Sequence, residues 1–328
     1  MRAILCERHG PPERLALRDI PPPEPAPGEV RLRVQAASVN FPDALIIQNL
    51  YQTKPPLPFG PGSEAAGFVD AVGEGVGDFH VGDRVAAMTT FGAFAEQVAV
   101  PAARVLPLPE TMSFEVASGF TVVYGTAIHA FEQRAALRSG ETVLVLGAAG
   151  GVGLAAIEVA RAMGARVIAA ASSEEKLALA RRHGADGTID YSREDLRAGI
   201  RRIAGDRGVD VVFDPVGGAL AEPAFRSIER NGRYLVVGFA AGDIPSIPLN
   251  LPLVKSAAII GVFWGSFVVA DPEAHRRNAE RLYDWHARGL LVPEISRRFP
   301  LEETAAAIRW VMDRKALGKV VVTIGEAG

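Results

Sequence analysis

Cysteine is nearly missing from these 328 residues: Cys6 stands alone. One thiol excludes an internal disulfide, and a Cys-rich zinc lobe is excluded with it. A reducing compartment, the cytoplasm, is the expected location. Basic blocks are missing too, and the net charge is −3. Neither a nucleic-acid partner nor a membrane-surface partner is therefore expected. No apolar run approaches the roughly 20 residues of a spanning helix. Met1–Glu7 reads as a short strand and lacks the apolar core of a signal peptide. Six histidines (His9, His80, His129, His183, His275, His286) show no ligand spacing, so no catalytic metal is predicted.

What is present is ordinary for a globular chain: 48% apolar and 22% charged residues. Its length suits two domains better than one core. The first 110 or so residues read as β-rich. Short apolar segments at Ala3–Cys6, Leu15–Ile20 and Val30–Val39 are separated by Pro and Gly clusters. Val30, Leu32 and Val34 alternate with Glu29, Arg31 and Arg33, the period of a half-buried strand. Asn40-Phe41-Pro42-Asp43 opens a short helix. From Ser113, a plausible N-cap, the period turns helical as far as Leu137.

Strands then alternate with helices. Strand patterns fall at 142–147, 166–171, 187–190, 209–213, 232–238 and 257–262, with helical patterns at 151–163, 174–183, 193–204 and 219–230 between the first five. This alternation predicts an α/β fold with a doubly wound parallel sheet. Ser172 and Ser192 look like helix caps. Helical patterns at 272–288 and 302–314 precede a last strand, Lys319–Ile324. The β-rich segment has no helical cover of its own. The C-terminal segment is expected to fold back onto it, leaving the nucleotide unit as an insertion.

The centre of that unit is Thr142–Tyr191. A strand ends in Gly147-Ala148-Ala149-Gly150-Gly151-Val152-Gly153, and an apolar helix follows. Such a turn seats a pyrophosphate on a helix N-terminus, with glycines allowing close approach. The first glycine of the usual fingerprint is Ala148 here, so the flanking strand and helix carry the inference. NAD binders usually place an acid about 20 residues on, against the ribose 2′-hydroxyl. This second strand ends Ala171-Ser172-Ser173, without one. A 2′-phosphate is then not repelled, Ser172 or Ser173 could donate to it, and Lys176 reads equally as its positive partner or as a solvated helix lysine. NADPH is favoured over NADH.

In its order of parts the chain resembles the medium-chain dehydrogenase/reductase superfamily, and within it the zinc-free quinone oxidoreductase (ζ-crystallin-like) branch. The matching signatures are Ala37–Asp43, Pro61–Gly67, Val81–Val85, Ala148–Gly153, Phe213–Gly218 and Gly318–Val321. The resemblance implies a Rossmann NADPH-binding domain (121–263) inserted into a GroES-like β-rich catalytic domain (1–120 and 264–328). Zinc-dependent relatives place Cys at Asn40 and His at Ser63, so both key ligands are replaced. The resemblance places Asn40 and Tyr51 along the nicotinamide and substrate cleft. It gives the cofactor Thr121, the turn Ala149, Gly150, Gly151, Val152 and Gly153, and the group Ser172, Ser173, Lys176 and Tyr191. Val216, Phe239, Phe263, Gly265 and Lys319 complete that implied set. It also implies a homodimer, paired through the strand pattern Ala257–Phe263.

Without a metal to polarise a carbonyl, the acceptor should already be electrophilic: a quinone or another α,β-unsaturated carbonyl. An enoyl- or acryloyl-CoA is a close variant. A protein that binds NADPH without turnover, in a structural or redox-sensing role, is the alternative from outside enzymology. An Asp introduced at Ala171 or Ser172 should shift preference towards NADH, read from the ratio of kcat/KM for the two coenzymes.

Overall fold

The computed structural model describes residues 1–325 and divides into two compact units. The first holds Met1–Val122, Val268–Ala279 and the described chain from Ile295 onward; the second holds Val123–Phe267 and Glu280–Glu294. Glu280–Glu294 therefore groups with the second unit, although the sequence reading assigns it to the C-terminal part of the first. No helix among the described residues is long and apolar enough to cross a membrane.

The first unit is built on strands. β1 (Arg2–Leu5) pairs with β2 (Ala16–Asp19). The main sheet takes β3 (Glu29–Val39), β4 (Glu64–Val72), β5 (Arg84–Met88), β6 (Gln97–Pro101) and β7 (Val105–Pro107). Helix α1 (Phe41–Ile47) follows β3, with Pro42 in its first turn. Helix α2 (Phe114–Ser118) starts at the cap Ser113, whose side chain accepts the Val116 N–H. The helical pattern from Ser113 to Leu137 is not one helix. It breaks at Gly119 and resumes as α3 (Thr121–His129), which loosens into a π-helical turn at Ala130–Arg134.

The second unit carries a six-stranded sheet of β8 (Thr142–Leu146), β9 (Arg166–Ala171), β10 (Gly187–Asp190), β11 (Val209–Asp214), β12 (Ile228–Val236) and β13 (Ala258–Gly261). Every pairing is parallel and the order is β10-β9-β8-β11-β12-β13. The connecting helices are α4 (Gly151–Ala162), α5 (Glu174–Arg182), α6 (Leu196–Ala204), α7 (Ala221–Arg226) and α8 (Asn250–Lys255). This is the dinucleotide-binding strand order, and its switch point lies between β8 and β11. The sheet is buried on both faces, so its strands read as unbroken apolar runs such as Val143–Leu146.

Three local readings are corrected. The α5 cap is Ser173, which accepts the Lys176 N–H, rather than Ser172. The α6 cap is Asp195, accepting from Ala198, while Ser192 bonds to Asp190. The helical pattern at 219–230 ends at Arg226, because β12 begins at Ile228 and turns through Asn231 at φ 63°. Helix α9 (Trp264–Ala270), unrecognised in the sequence, precedes α10 (Pro272–Ala287).

The chain then returns to the first unit. Strand β14 (Ile295–Pro300), helix α11 (Thr304–Met312) and β15 (Lys319–Thr323) follow, and β15 pairs antiparallel with β3, matching Val320 to Val39. The core of this unit accordingly mixes Leu32, Val34 and Phe94 with Val320, Val322 and Ile308 from the far end of the sequence.

A buried polar hub holds the second unit. Glu158, on α4, accepts from the Tyr124 hydroxyl at 2.6 Å, His183 Nδ1 at 2.7 Å and the Val292 N–H at 3.0 Å. His183 Nε2 lies 3.5 Å from Glu294. Burial pulls the His183 pKa down, but Glu158 and Glu294 outweigh it and the net shift is upward. A raised histidine stabilises the fold below its unfolded pKa of about 6.5 and loses that contribution as pH rises through the folded value. The melting temperature of the wild type should therefore exceed that of His183→Gln by most near pH 6, and the gap should narrow towards pH 9.

Candidate active site

A nucleotide-type site lies in the second unit, at the end of β8. Gly147 has φ 59°, and its carbonyl accepts the Gly150 N–H at 3.1 Å. Helix α4 starts here with Gly150 as its N-cap, and no side chain caps it. The first-turn N–H groups therefore face outwards with the positive end of the helix dipole, the arrangement that receives a phosphate. Two glycines are required for different reasons. A Cβ on Gly153 would sit 2.4 Å from the Gly147 carbonyl, so α4 could not pack against the turn. A Cβ on Gly150 would meet only that carbonyl, at 3.5 Å. The space beyond Gly150 is open, and a side chain there would fill the cradle.

The strand next to it completes this site. Asp190 on β10 pairs with Ala171 on β9, and the Tyr191 N–H bonds to the Ala171 carbonyl at 3.1 Å. Ser172 Oγ accepts from Lys176 Nζ at 3.2 Å. Ser172 and Lys176 thus meet just past the end of β9, which itself carries no acid, and the Tyr191 backbone adjoins it. Past β11, Val216 closes on the turn, since a Cβ on Gly147 would lie 2.8 Å from its Cγ2. Asp214 holds that loop by accepting from the Val216 and Gly217 N–H groups at 2.7 and 2.8 Å. Phe239 lies beside Gly217, Phe263 is exposed, and Trp264 is buried against Gly125.

A buried polar cluster lies in the first unit. Glu64, 1% exposed, accepts four hydrogen bonds. They come from the Ser38 hydroxyl, Asn40 Nδ2 at 2.9 Å, Lys319 Nζ at 3.0 Å and the Val122 N–H at 3.0 Å. Lys319 is buried as well and also donates to Asn40 Oδ1 at 2.7 Å and the Val39 carbonyl at 3.4 Å. Asn40 precedes α1 in the chain, yet its side chain leaves the helix end to join this cluster. The helix is held by Asp43 instead, whose Oδ2 accepts the Asn40 N–H at 2.7 Å. Thr121, nearby in sequence to Val122, buries a hydroxyl that has no protein partner. Such an orphan is suited to a polar ligand atom.

Ser63 is held firmly beside this cluster. Gly62 sits at φ 101°, and its carbonyl accepts from the Ala93 N–H at 3.1 Å and the Thr89 hydroxyl at 2.9 Å. Asn40 Nδ2 donates to Ser63 Oγ at 3.3 Å. Asp43 is completely buried, and its Oδ1 has no hydrogen-bond partner. Burial pushes its pKa up to about 7, against the opposing pull of the Asn40 N–H, Lys319 and the Ser63 hydroxyl. Tyr51 packs half-buried against the core, and burial raises its hydroxyl pKa, with Asp43 adding to the shift. The sequence reading names Asn40, Tyr51 and Lys319 as site residues but gives no role to Ser38, Asp43 or Glu64. The available signal was a single acid in the otherwise small and apolar run Ala65-Ala66-Gly67.

The Alcohol dehydrogenase GroES-like domain family matches residues 26–110, and the Zinc-binding dehydrogenase family matches 151–282. The mouse protein named Quinone oxidoreductase-like protein 2 is 40% identical over 98% of this chain and 92% of its own length. The chain belongs to the zinc-free quinone oxidoreductase branch of the medium-chain dehydrogenase/reductase superfamily. The Pseudomonas aeruginosa quinone oxidoreductase is 37% identical over 98% of this chain and 99% of its own. Among solved structures, Escherichia coli quinone oxidoreductase complexed with NADPH superposes with a TM-score of 0.93 at 28% identity, covering 98% of this chain and 100% of that one. No group of three His, Cys, Asp or Glu poised for a metal ion occurs among the described residues of this family member.

Gly150→Val tests the cradle, because its backbone angles suit any residue and the new side chain meets open space. Its melting temperature should stay within a few degrees of wild type. NADPH affinity, read by fluorescence titration, should fall at least ~10-fold, about 1.4 kcal/mol.

Proposed function

We propose that this chain is an NADPH-dependent reductase that transfers hydride to a quinone or another α,β-unsaturated carbonyl without zinc. The observation that carries the coenzyme reading is the acid-free end of β9, where Lys176 and Ser172 meet beside Tyr191. A lysine and two hydroxyls at that position suit a 2′-phosphate, which an Asp or Glu would repel. The names and titles of similar proteins support the same reading: quinone oxidoreductase, and a complex with NADPH.

NADPH, when bound, supplies the hydride. The residues of the chain hold and orient. Gly150–Gly153 offer uncapped N–H groups to the pyrophosphate, and Ser172, Ser173, Lys176 and Tyr191 take the 2′-phosphate. The unpartnered Thr121 hydroxyl serves the carboxamide or the neighbouring phosphate. Tyr51 faces the acceptor oxygen, and Asn40 lines the same cleft with its two amide N–H groups already given to Glu64 and Ser63. Lys319 acts from behind, its ammonium spent on fixing the Asn40 amide and neutralising Glu64. An acceptor that is electrophilic by itself needs only hydride delivery and a donor to the oxygen on which charge develops. The lone cysteine suits a cytoplasmic setting.

The chain also fits a homodimer. Strand β13 is the sheet edge, with Ala258, Ile259 and Gly261 exposed, and Leu249, Leu253 and Val254 of the adjoining segment are 71–80% exposed. An apolar open edge is a liability unless another strand pairs with it. Sedimentation at micromolar concentration should give a dimer; a clean monomer would refute this.

The test of activity is steady-state NADPH oxidation with 1,4-benzoquinone, 9,10-phenanthrenequinone, an alkenal and acryloyl-CoA. Turnover with at least one of the first three is expected. Turnover with acryloyl-CoA alone would move the substrate class to enoyl thioesters, and silence with all four would sink the reductase reading in favour of a binding protein.

A further inference from the structure

The hydrogen bonds around Asn40 fix the direction in which a proton can move. An ammonium only donates, so the atom that Lys319 meets at 2.7 Å is the Asn40 carbonyl oxygen. The Asn40 amide nitrogen must then face Glu64 at 2.9 Å and Ser63 Oγ at 3.3 Å. An amide N–H cannot accept. Ser63 Oγ is therefore the acceptor towards Asn40, and its own proton is directed elsewhere. Ser63 is half-buried, so one side of it reaches open space while the other faces the interior. Asp43 is fully buried, with Oδ2 used by the Asn40 N–H and Oδ1 unpartnered. The Ser63 hydroxyl is close enough to favour the charged form of Asp43.

We propose that Ser63 is the catalytic residue that gives a proton to the acceptor oxygen, and that Asp43 acts through it as the buried store that returns the proton. This rests on the reductase reading above. With an α,β-unsaturated carbonyl, hydride joins the β carbon, the C=C electron pair moves into the enolate, and the negative charge collects on oxygen. The Ser63 O–H bond breaks as the new O–H bond to that oxygen forms, giving the enol. The Asp43 carboxyl proton passes to Ser63 Oγ, leaving a carboxylate. After product leaves, water returns one proton to Asp43 through the same hydroxyl. One NADPH and one proton are consumed per acceptor reduced.

The charges around Asp43 suit such a store. Lys319 from β15 favours the carboxylate and Glu64 from β4 opposes it, while Tyr51 follows α1 in the chain and feels the Asp43 charge. Burial dominates and pushes the carboxyl pKa up to about 7, so the proton is held and released in the neutral range.

Two measurements test the assignment. Infrared difference spectra of the ligand-free protein should show a carboxylic-acid C=O band that disappears as pH rises through about 7 and is missing from Asp43→Asn. With saturating NADPH and acceptor, the wild-type kcat should fall as pH rises through the same range. Ser63→Ala should lower kcat at pH 6 on the order of 100-fold and flatten this profile with NADPH KM unchanged. Ser63→Thr, which keeps a hydroxyl, should recover most of the rate. Ser63→Ala is the decisive variant should Asp43→Asn fold poorly, because Ser63 is not fully buried. Wild-type rate and pH profile in Ser63→Ala, or no titrating band in the wild type, would overturn the relay while leaving the reductase reading intact. No turnover by the wild type on any quinone or enone would overturn both.

Discussion

One buried carboxylate organises the first unit of this protein. Glu64 sits on a strand of small apolar residues; its Oε1 accepts from Ser38, Asn40 and Lys319, and its Oε2 from the Val122 N–H. A charge removed from water this completely is costly unless paired and fully hydrogen-bonded, and losing one partner strands the rest. Here the partners come from β3, the residue preceding α1, α3 and the final strand. A single ion pair thereby locks four segments into one arrangement. It also determines the face that Asn40 presents, because Lys319 claims the amide oxygen.

Two acids lie within this small region and experience opposite surroundings. Glu64 is ringed by donors and carries an ion pair. Asp43 has one strong donor, the Asn40 N–H, and its other oxygen is buried without a hydrogen-bond partner. Neighbouring carboxyls with such different environments are suited to different tasks, one as a fixed charge and the other as an exchangeable proton.

Much of the second unit was legible in the sequence. The parallel strands announce themselves as apolar runs, and Gly150 and Gly153 follow from the close approach a dinucleotide demands. The shortfalls have local physical causes. Ser172 and Ser173 are both able to cap, and only the backbone angles of Ser173 decide between them. The pattern running from Ser113 to Leu137 looks continuous because burial on several sides keeps it apolar through the break at Gly119. Glu64 and Lys319 are 255 residues apart, and no periodicity links them. A lysine seen in sequence reads as a solvated cation; its burial depends on a partner that only the fold supplies. The same gap hid Asp43, whose neutral-range proton arises from enclosure rather than from its neighbours in sequence.

The pairing of β15 with β3 has a consequence for biosynthesis. The ribosome releases β3 early, but its neighbour is made only after nearly the whole chain. At roughly 5–20 residues per second, the wait lasts tens of seconds. During that time the inserted unit can complete its parallel sheet, whereas the N-terminal strands must keep one edge open. The nascent chain therefore passes through a stage with one finished domain and one exposed template for strand pairing. Delivering β15 closes that edge, and the same event brings in the lysine that neutralises Glu64.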